Sequence, residues 1–159
     1  MEQPRKCLAV VRVRGISDIF GRISETMSLL HLGRNCHATL IDNRPSYQGM
    51  LQKAQNYLTW GEVSKETLIR LLRRRGEIIG GGVLTEQYLK EVGYSSFEKL
   101  ADALLASRLK MKELKGVRPI FRLPPPSRGY KGTLKRSFSE GGNTGYRGEK
   151  INELINRMV

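Results

Sequence analysis

The stretch "CLAVVRVRG", residues 7–15, decides the fold. Side chains alternate across a strand, so Cys7, Ala9, Val11 and Val13 fall on one face. Leu8, Val10, Arg12 and Arg14 fall on the other, until Gly15 ends the run. Apolar residues on both faces at its start predict a central strand, with the two arginines reaching an open face further along. Outward from it, "GRISETMSLLHLG" repeats Ile23, Met27 and Leu30 at helical spacing and stops at Gly33. "CHATLID" predicts a second strand that ends in the turn "DNRPS". Pro45 suits a first helical turn, where its missing N–H would have lacked a partner anyway. Tyr47, Met50, Leu51 and Ala54 then space as the buried side of a short helix, and "LTWGEV" returns as a third strand with Trp60 in the core. The order β-α-β-α-β predicts an α+β fold, a small sheet with its helices on one face.

Beyond it the composition shifts. "SKETLIRLLRRRG" is a helix whose cationic end, Arg73, Arg74 and Arg75, suits the negative end of its dipole. "EIIGGGVLT" is a loop leading to a Thr85 cap and a short helix over "EQYLKEVG". In "SSFEKLADALLASRL", Ser95 and Glu98 have capping-box spacing, and Phe97, Leu100, Leu104 and Leu105 form the buried stripe. From Lys110 the helix signals fade into "KGVRPIFRLPPPSRGYKGTLKRSF", which is extended and basic. A glycine-rich loop follows, and then a terminal amphipathic helix with Ile151, Leu154, Ile155 and Met158 on one stripe. The chain is therefore expected to divide into a β-α-β-α-β core (1–63), a helical extension (64–115) and a basic Gly/Pro-rich segment with an anchoring helix (116–159).

Charge limits the function. Twenty-eight Lys and Arg against fifteen Asp and Glu give a net +13 over 159 residues, an excess that favours a polyanionic partner. It is uneven, because Arg108 to Lys150 holds twelve basic and three acidic residues. Cys7 and Cys36 make no disulfide framework, and together with His31 and His37 they lack metal-ligand spacing. Neither "IIGGGVLT" nor "SEGGNTGYRG" follows a phosphate-loop or dinucleotide pattern, and there is no nucleophile elbow. No apolar run approaches a membrane span, and the N-terminus carries no signal-peptide pattern. These observations predict a cytoplasmic protein without catalysis, cofactor, metal or small-molecule substrate.

Nucleic-acid binding accounts for more of the chain. Arg118, Arg122, Arg128, Lys131, Lys135, Arg136 and Arg147 are interleaved with Phe121, Tyr130, Phe138 and Tyr146. Cations neutralise phosphates, and aromatic faces stack on unpaired bases. Gly141, Gly142 and Gly145 let the backbone itself approach RNA, with the terminal helix fixing where their loop sits. Arg73, Arg74 and Arg75 fit either RNA contact or the helix dipole. For Arg12 and Arg14 an exposed sheet face is the favoured reading.

Several motifs also resemble the L-thirty family of large-subunit ribosomal proteins. They are "LAVVRVRGI", "LLHLGR", "LIDNRPSYQGML" and "YLTWGEV", then "ETLIRLLRRRG", "VGYSSFEKLADAL", "RPIFRLPPPSRGYKG" and "EGGNTGYRGEKINELINRMV". The longer body is similar to the archaeal and eukaryotic forms, the archaeal most of all. The resemblance implies a ferredoxin-like core, with a three-stranded antiparallel sheet in order 3-1-2 and two helices on one side. It also implies a structural role in the large ribosomal subunit, contact with rRNA near 5S rRNA and with neighbouring ribosomal proteins, and no enzymatic activity. The family's rRNA-facing turn matches Asn43, Arg44, Pro45, Ser46 and Gln48, and its basic C-terminal element matches residues 126–136 and 141–147. Two readings compete: a free RNA-binding regulator or chaperone, and a small basic enzyme acting on RNA.

Overall fold

A computed structural model describes residues 6–15 and 21–159. Strand β1 (Cys7–Arg12) lies at the centre of the sheet. It is followed by α1 (Gly21–Leu29), β2 (His37–Asp42), α2 (Pro45–Lys53) and β3 (Leu58–Glu62). Both β2 and β3 pair with β1 antiparallel, with Val11 opposite Ala38 on one side and Thr59 on the other. The extension contributes α3 (Lys65–Arg75), α4 (Glu86–Glu91) and α5 (Phe97–Leu105), and the C-terminal segment adds β4 (Ile120–Arg122), β5 (Gly145–Tyr146) and α6 (Ile151–Met158).

The sheet does not stop at three strands. Its order is β4-β2-β1-β3-β5, so the implied three strands form the middle and two short strands extend both edges. β4 joins β2 antiparallel, whereas β5 runs parallel to β3. β4 comes from the segment expected to be merely extended, and β5 from the glycine-rich loop that follows it. Pro119 and Pro124 flank β4, and proline cannot donate to a ladder, so pairing there stays short and at an edge.

Helices α1 and α2 share one face of the sheet, as expected, and the later helices cover the other. Leu8, Val10, Leu58 and Trp60 pack with Met27 and Leu30 near α1 and with Leu51 of α2. Cys7, Ala9, Val11 and Val13 meet a second and larger core built from α3, α5 and α6, including Leu68, Leu72, Phe97, Leu100, Ile151 and Ile155. Every residue of β1 is consequently buried.

Arg12 corrects another expectation. It is 1% exposed, not on an open face. Its Nη1 donates to the Leu32 carbonyl at 2.8 Å and its Nε to the Arg14 carbonyl at 3.0 Å. Burial lowers its pKa, and those carbonyls partly replace the lost water. Arg14 is half-buried and stacks over Tyr57.

Local capping sets the helix starts. Ser64 Oγ accepts from the Thr67 N–H, and Thr85 Oγ1 accepts from the Tyr88 N–H. For α5 the cap is Ser96, which accepts from the Lys99 N–H, not the expected Ser95. That start makes Phe97 the first helical residue and turns Phe97, Leu100, Ala101 and Leu104 inward. Helix α6 buries Ile151, Leu154, Ile155 and Met158, as its spacing predicts. A fully buried side chain of this kind contributes about 1.5–3 kcal/mol.

Val11 is wholly buried between β2, β3 and the larger core. Val11→Ala is expected to lower unfolding free energy by about 1–3 kcal/mol in urea titrations. A variant with the parent's midpoint would place this strand outside the core.

Candidate nucleic-acid interface

The basic C-terminal segment is folded around a buried arginine. Thr59 Oγ1 accepts from Arg147 Nε at 2.7 Å, and the Asn143 carbonyl accepts from Arg147 Nη2 at 2.8 Å. The Arg147 N–H donates to the Trp60 carbonyl, and the guanidinium lies 4.8 Å from the Phe138 ring centre. Desolvation lowers the Arg147 pKa to about 10, still well above neutrality, so the cation persists. Its burial withdraws it from the phosphate contact expected of it. Arg147 instead holds β5 against β3.

Asn143 does the same for the loop before it. Its Nδ2 donates to the carbonyls of Lys131 and Thr133, at 2.8 and 3.1 Å. The Arg136 carbonyl accepts from the N–H groups of both Asn143 and Thr144. Backbone near Lys131, Thr133 and Arg136 is thus bound inward while the side chains of Lys131, Lys135 and Arg136 stay exposed. Lys131 makes a 3.5 Å ion pair with Glu153.

The glycines divide into two kinds. Gly141 and Gly145 have φ of 85° and 81°, with open space where a β-carbon would lie. Gly142 lacks a positive φ, but a β-carbon there would overlap the Arg136 carbonyl. The close approach expected against RNA is therefore already made within the chain. The terminal helix fixes the proline-rich loop as well: Arg157 donates through Nε and Nη2 to the Ser127 carbonyl and also contacts the Gly129 carbonyl. That loop leaves Arg128 exposed, at φ of 66°. Tyr130 is half-buried, with its hydroxyl 3.9 Å from Cys36 Sγ, and burial pushes its pKa up. Tyr146 remains 54% exposed.

The "DNRPS" turn starts α2. Arg44 is its N-cap and Pro45 its first residue, with Ser46 and Gln48 exposed. Arg44 Nη2 meets Asp42 Oδ2 at 2.6 Å, while Nε lies 2.9 and 3.0 Å from the two carboxylate oxygens. Burial would raise the Asp42 pKa, but the hydrogen bonds from Arg44 and the charges of Arg44 and Lys110 together outweigh it and the pKa falls. Arg44 also lies over the Tyr47 ring, so it is partly engaged before any ligand arrives.

The remaining cations are spread more widely. Arg118 and Arg122 share Glu77 at 3.5 Å. Arg73 sits over the Phe97 ring, and Arg74 is exposed at the same helix end. Arg75 is half-buried. The structure brings residues 128–147 into one cluster, but it does not join Arg73–Arg75 to that cluster. Thr59 and Arg157 lie outside the residues the sequence singles out, whereas Asn143 falls within its stretch 141–147. Only Asn143, set between glycines in "GGNTG", carried a local turn signal.

A central sheet covered on both faces, with a cationic loop cluster along one edge, defines a basic α+β protein of ferredoxin-like layout. A family profile described as "Ribosomal protein L30p/L7e" matches residues 8–58. Among similar chains, "Large ribosomal subunit protein uL30" of Thermofilum pendens is 46% identical, over 94% of this chain and 97% of its own. The protein of the same name from Nanoarchaeum equitans is 47% identical, over 95% and 97% respectively. That of Methanosphaera stadtmanae is 45% identical, over 95% and 99%. The chain belongs to the ribosomal protein L30p/L7e family.

Two tests follow from this geometry. Gly142→Ala should speed amide exchange across residues 131–147 in the free protein, whereas Gly141→Ala should cost only about 1 kcal/mol through its positive φ. Equal exchange in both variants would remove the internal role given to Gly142. The second test concerns acid stability. Because the folded-state pKa of Asp42 is depressed, its pair with Arg44 contributes stability above the ordinary value of 3.8 and loses it as pH falls through the folded value. Arg44→Gln should flatten that acid limb in pH-dependent unfolding, while an unaltered limb would show the pair to be inconsequential.

Proposed function

We propose that this chain is a non-catalytic structural constituent of the large ribosomal subunit that binds and stabilises its rRNA. The observation that carries the proposal is the arrangement of residues 128–147: the backbone and Arg147 are bonded inward, and Arg128, Lys131, Lys135 and Arg136 are left outward on a preformed loop. A preordered cationic surface loses little conformational entropy when it meets phosphate, so more of its electrostatic gain appears as affinity. The names of the relatives support the same reading.

Within it, residues 1–63 supply the three central strands, 64–115 help to brace their second face, and 116–159 add the edge strands and the terminal helix and present the RNA-binding loops. Arg44, Pro45, Ser46 and Gln48 form a second contact, with Arg122 and Tyr130 beside the main one. Tyr146 borders both. Arg73, Arg74 and Arg75 reach RNA separately, because three cations exceed what one helix end uses. Arg147, Gly141, Gly142 and Gly145 serve by shaping the loop. The family resemblance extends the proposal to a position near 5S rRNA, to neighbouring subunit proteins and to the cytoplasm.

The protein is expected to co-sediment stoichiometrically with large subunits through a high-salt wash; finding it chiefly free would overturn the proposal. Each phosphate contact removed should also lower the slope of log affinity against log salt by about 0.7–0.9. Replacing Arg128, Lys135 and Arg136 together with Gln should therefore lower it by about two to three. An unchanged slope in rRNA titrations would assign these cations to a solvated face.

A further inference from the structure

Adding β5 to the edge of the sheet creates a cleft that the cationic residues do not explain. Thr59 and Trp60 of β3 lie in register with Gly145 and Tyr146 of β5. Tyr146 thus extends the face carrying Leu8 and Trp60, beyond the reach of α2. Between Tyr146 and α2 lies an open cleft of about 590 Å³, floored by Leu8 and Trp60 and walled by Asn43, Gln48 and Gln52. Its size falls within the range of about 300–1,000 Å³ usual for small-ligand clefts.

We propose that this cleft receives one unpaired nucleobase of the bound RNA, stacked on Tyr146 and read by the amides of Asn43 and the α2 glutamines. The proposal rests on the RNA-binding function above and deepens it.

Three observations support it. The first is charge: the cleft borders one cation, Lys6, and one carboxylate, Glu62, so it does not suit a phosphate. A flat, neutral group with polar edges matches amide walls and aromatic surfaces. The second is the fixing of Tyr146. Its hydroxyl donates to the Glu62 carboxylate, 2.7 Å from each oxygen, while the residue stays 54% exposed. An exposed aromatic ring held by its far end has already lost the rotamer freedom that stacking would otherwise cost. The third is the order of the amides. The Lys6 N–H donates to Asn43 Oδ1 at 3.1 Å, and Gln48 Nε2 donates to the Asn43 carbonyl at 2.8 Å. These bonds orient both side chains, leaving Gln48 Oε1 as an acceptor toward a base edge.

The cleft also lies between the two proposed phosphate-binding regions, since Asn43 belongs to the "DNRPS" turn, Gln48 to the helix that the turn starts, and Tyr146 adjoins the C-terminal loop. A strand of RNA held by its backbone on both sides would pass over it, and a base turned inward would be held there.

The test uses the full chain and deproteinised large-subunit rRNA. Base-specific chemical modification reads bases, and hydroxyl-radical cleavage reads the backbone. The wild type should protect at least one unpaired base, and the fluorescence of Trp60, the single tryptophan, should change on binding. Tyr146→Ala should restore reactivity at that base and weaken binding roughly fivefold or more, the loss typical of one stacking contact, with an unchanged salt slope. Tyr146→Phe should keep the protection, because it keeps the ring. Gln48→Ala, an exposed change on α2 across the cleft from β5, should loosen the same base without altering the fold by circular dichroism. If Tyr146→Ala and Gln48→Ala both leave every base protection intact while the wild type still binds, the cleft holds no base and the RNA-binding reading stands alone. If those variants instead lose a neighbouring protein during subunit reconstitution, with rRNA protections unchanged, the cleft is a protein seat and the proposal fails. Absence of wild-type binding would overturn both readings.

Discussion

Both faces of β1 are shut off from water, and the rest of the structure follows from that constraint. A six-residue strand with Leu8 and Val10 on one side and Cys7, Ala9 and Val11 on the other needs a hydrophobic layer above and below. Helices α1 and α2 supply one layer. The second needs more apolar surface than the β-α-β-α-β unit has left, so α3, α5 and α6 supply it. The C-terminal helix is therefore part of the main core, and its stripe of Ile151, Leu154, Ile155 and Met158 ties the far end of the chain to the centre of the sheet. Gly61 belongs to the same closure: a β-carbon there would overlap the Gly148 carbonyl where the chain crosses β3 before entering α6.

That anchoring changes what a basic, glycine-rich segment can be. With α6 docked at one end and β4 paired at the other, residues 123–144 close a loop of limited reach, and Arg147 and Asn143 fill its interior. Burying a guanidinium is costly, as its lowered pKa records. Two hydrogen-bonding partners, Thr59 Oγ1 and the Asn143 carbonyl, and the Phe138 ring offset that cost. One cation is spent on internal order, and the others are held outward on a backbone that is already bonded. The terminal helix thus answers why so many glycines can sit between basic residues without leaving a slack tail.

Much of this was legible in the sequence because its signals are local. The alternation in residues 7–13, the helical spacing of α2 and α6, Pro45 at a helix start and the Thr85 cap each depend on residues a few positions apart. The Arg44 turn and the cationic segment could be read the same way. Position along a helix was less secure: Ser95 and Ser96 are equivalent as caps until the core demands that Phe97 point inward.

Other features have no local cause. Strands β4 and β5 are three and two residues long, and neither is stable without a partner strand to bond to. Arg12 reads as an exposed strand residue until the Leu32 carbonyl comes within 2.8 Å of it. Arg147 and Gly142 read as RNA-facing until Thr59 and the Arg136 carbonyl occupy the space beside them. The sequence by itself determined the order and type of the main elements, the excess of charge and its place in the chain. Only the tertiary structure decided which cations face outward and which glycine is needed by the protein itself. Those outcomes depend on groups distant in sequence arriving within hydrogen-bonding or van der Waals distance, which no local pattern encodes.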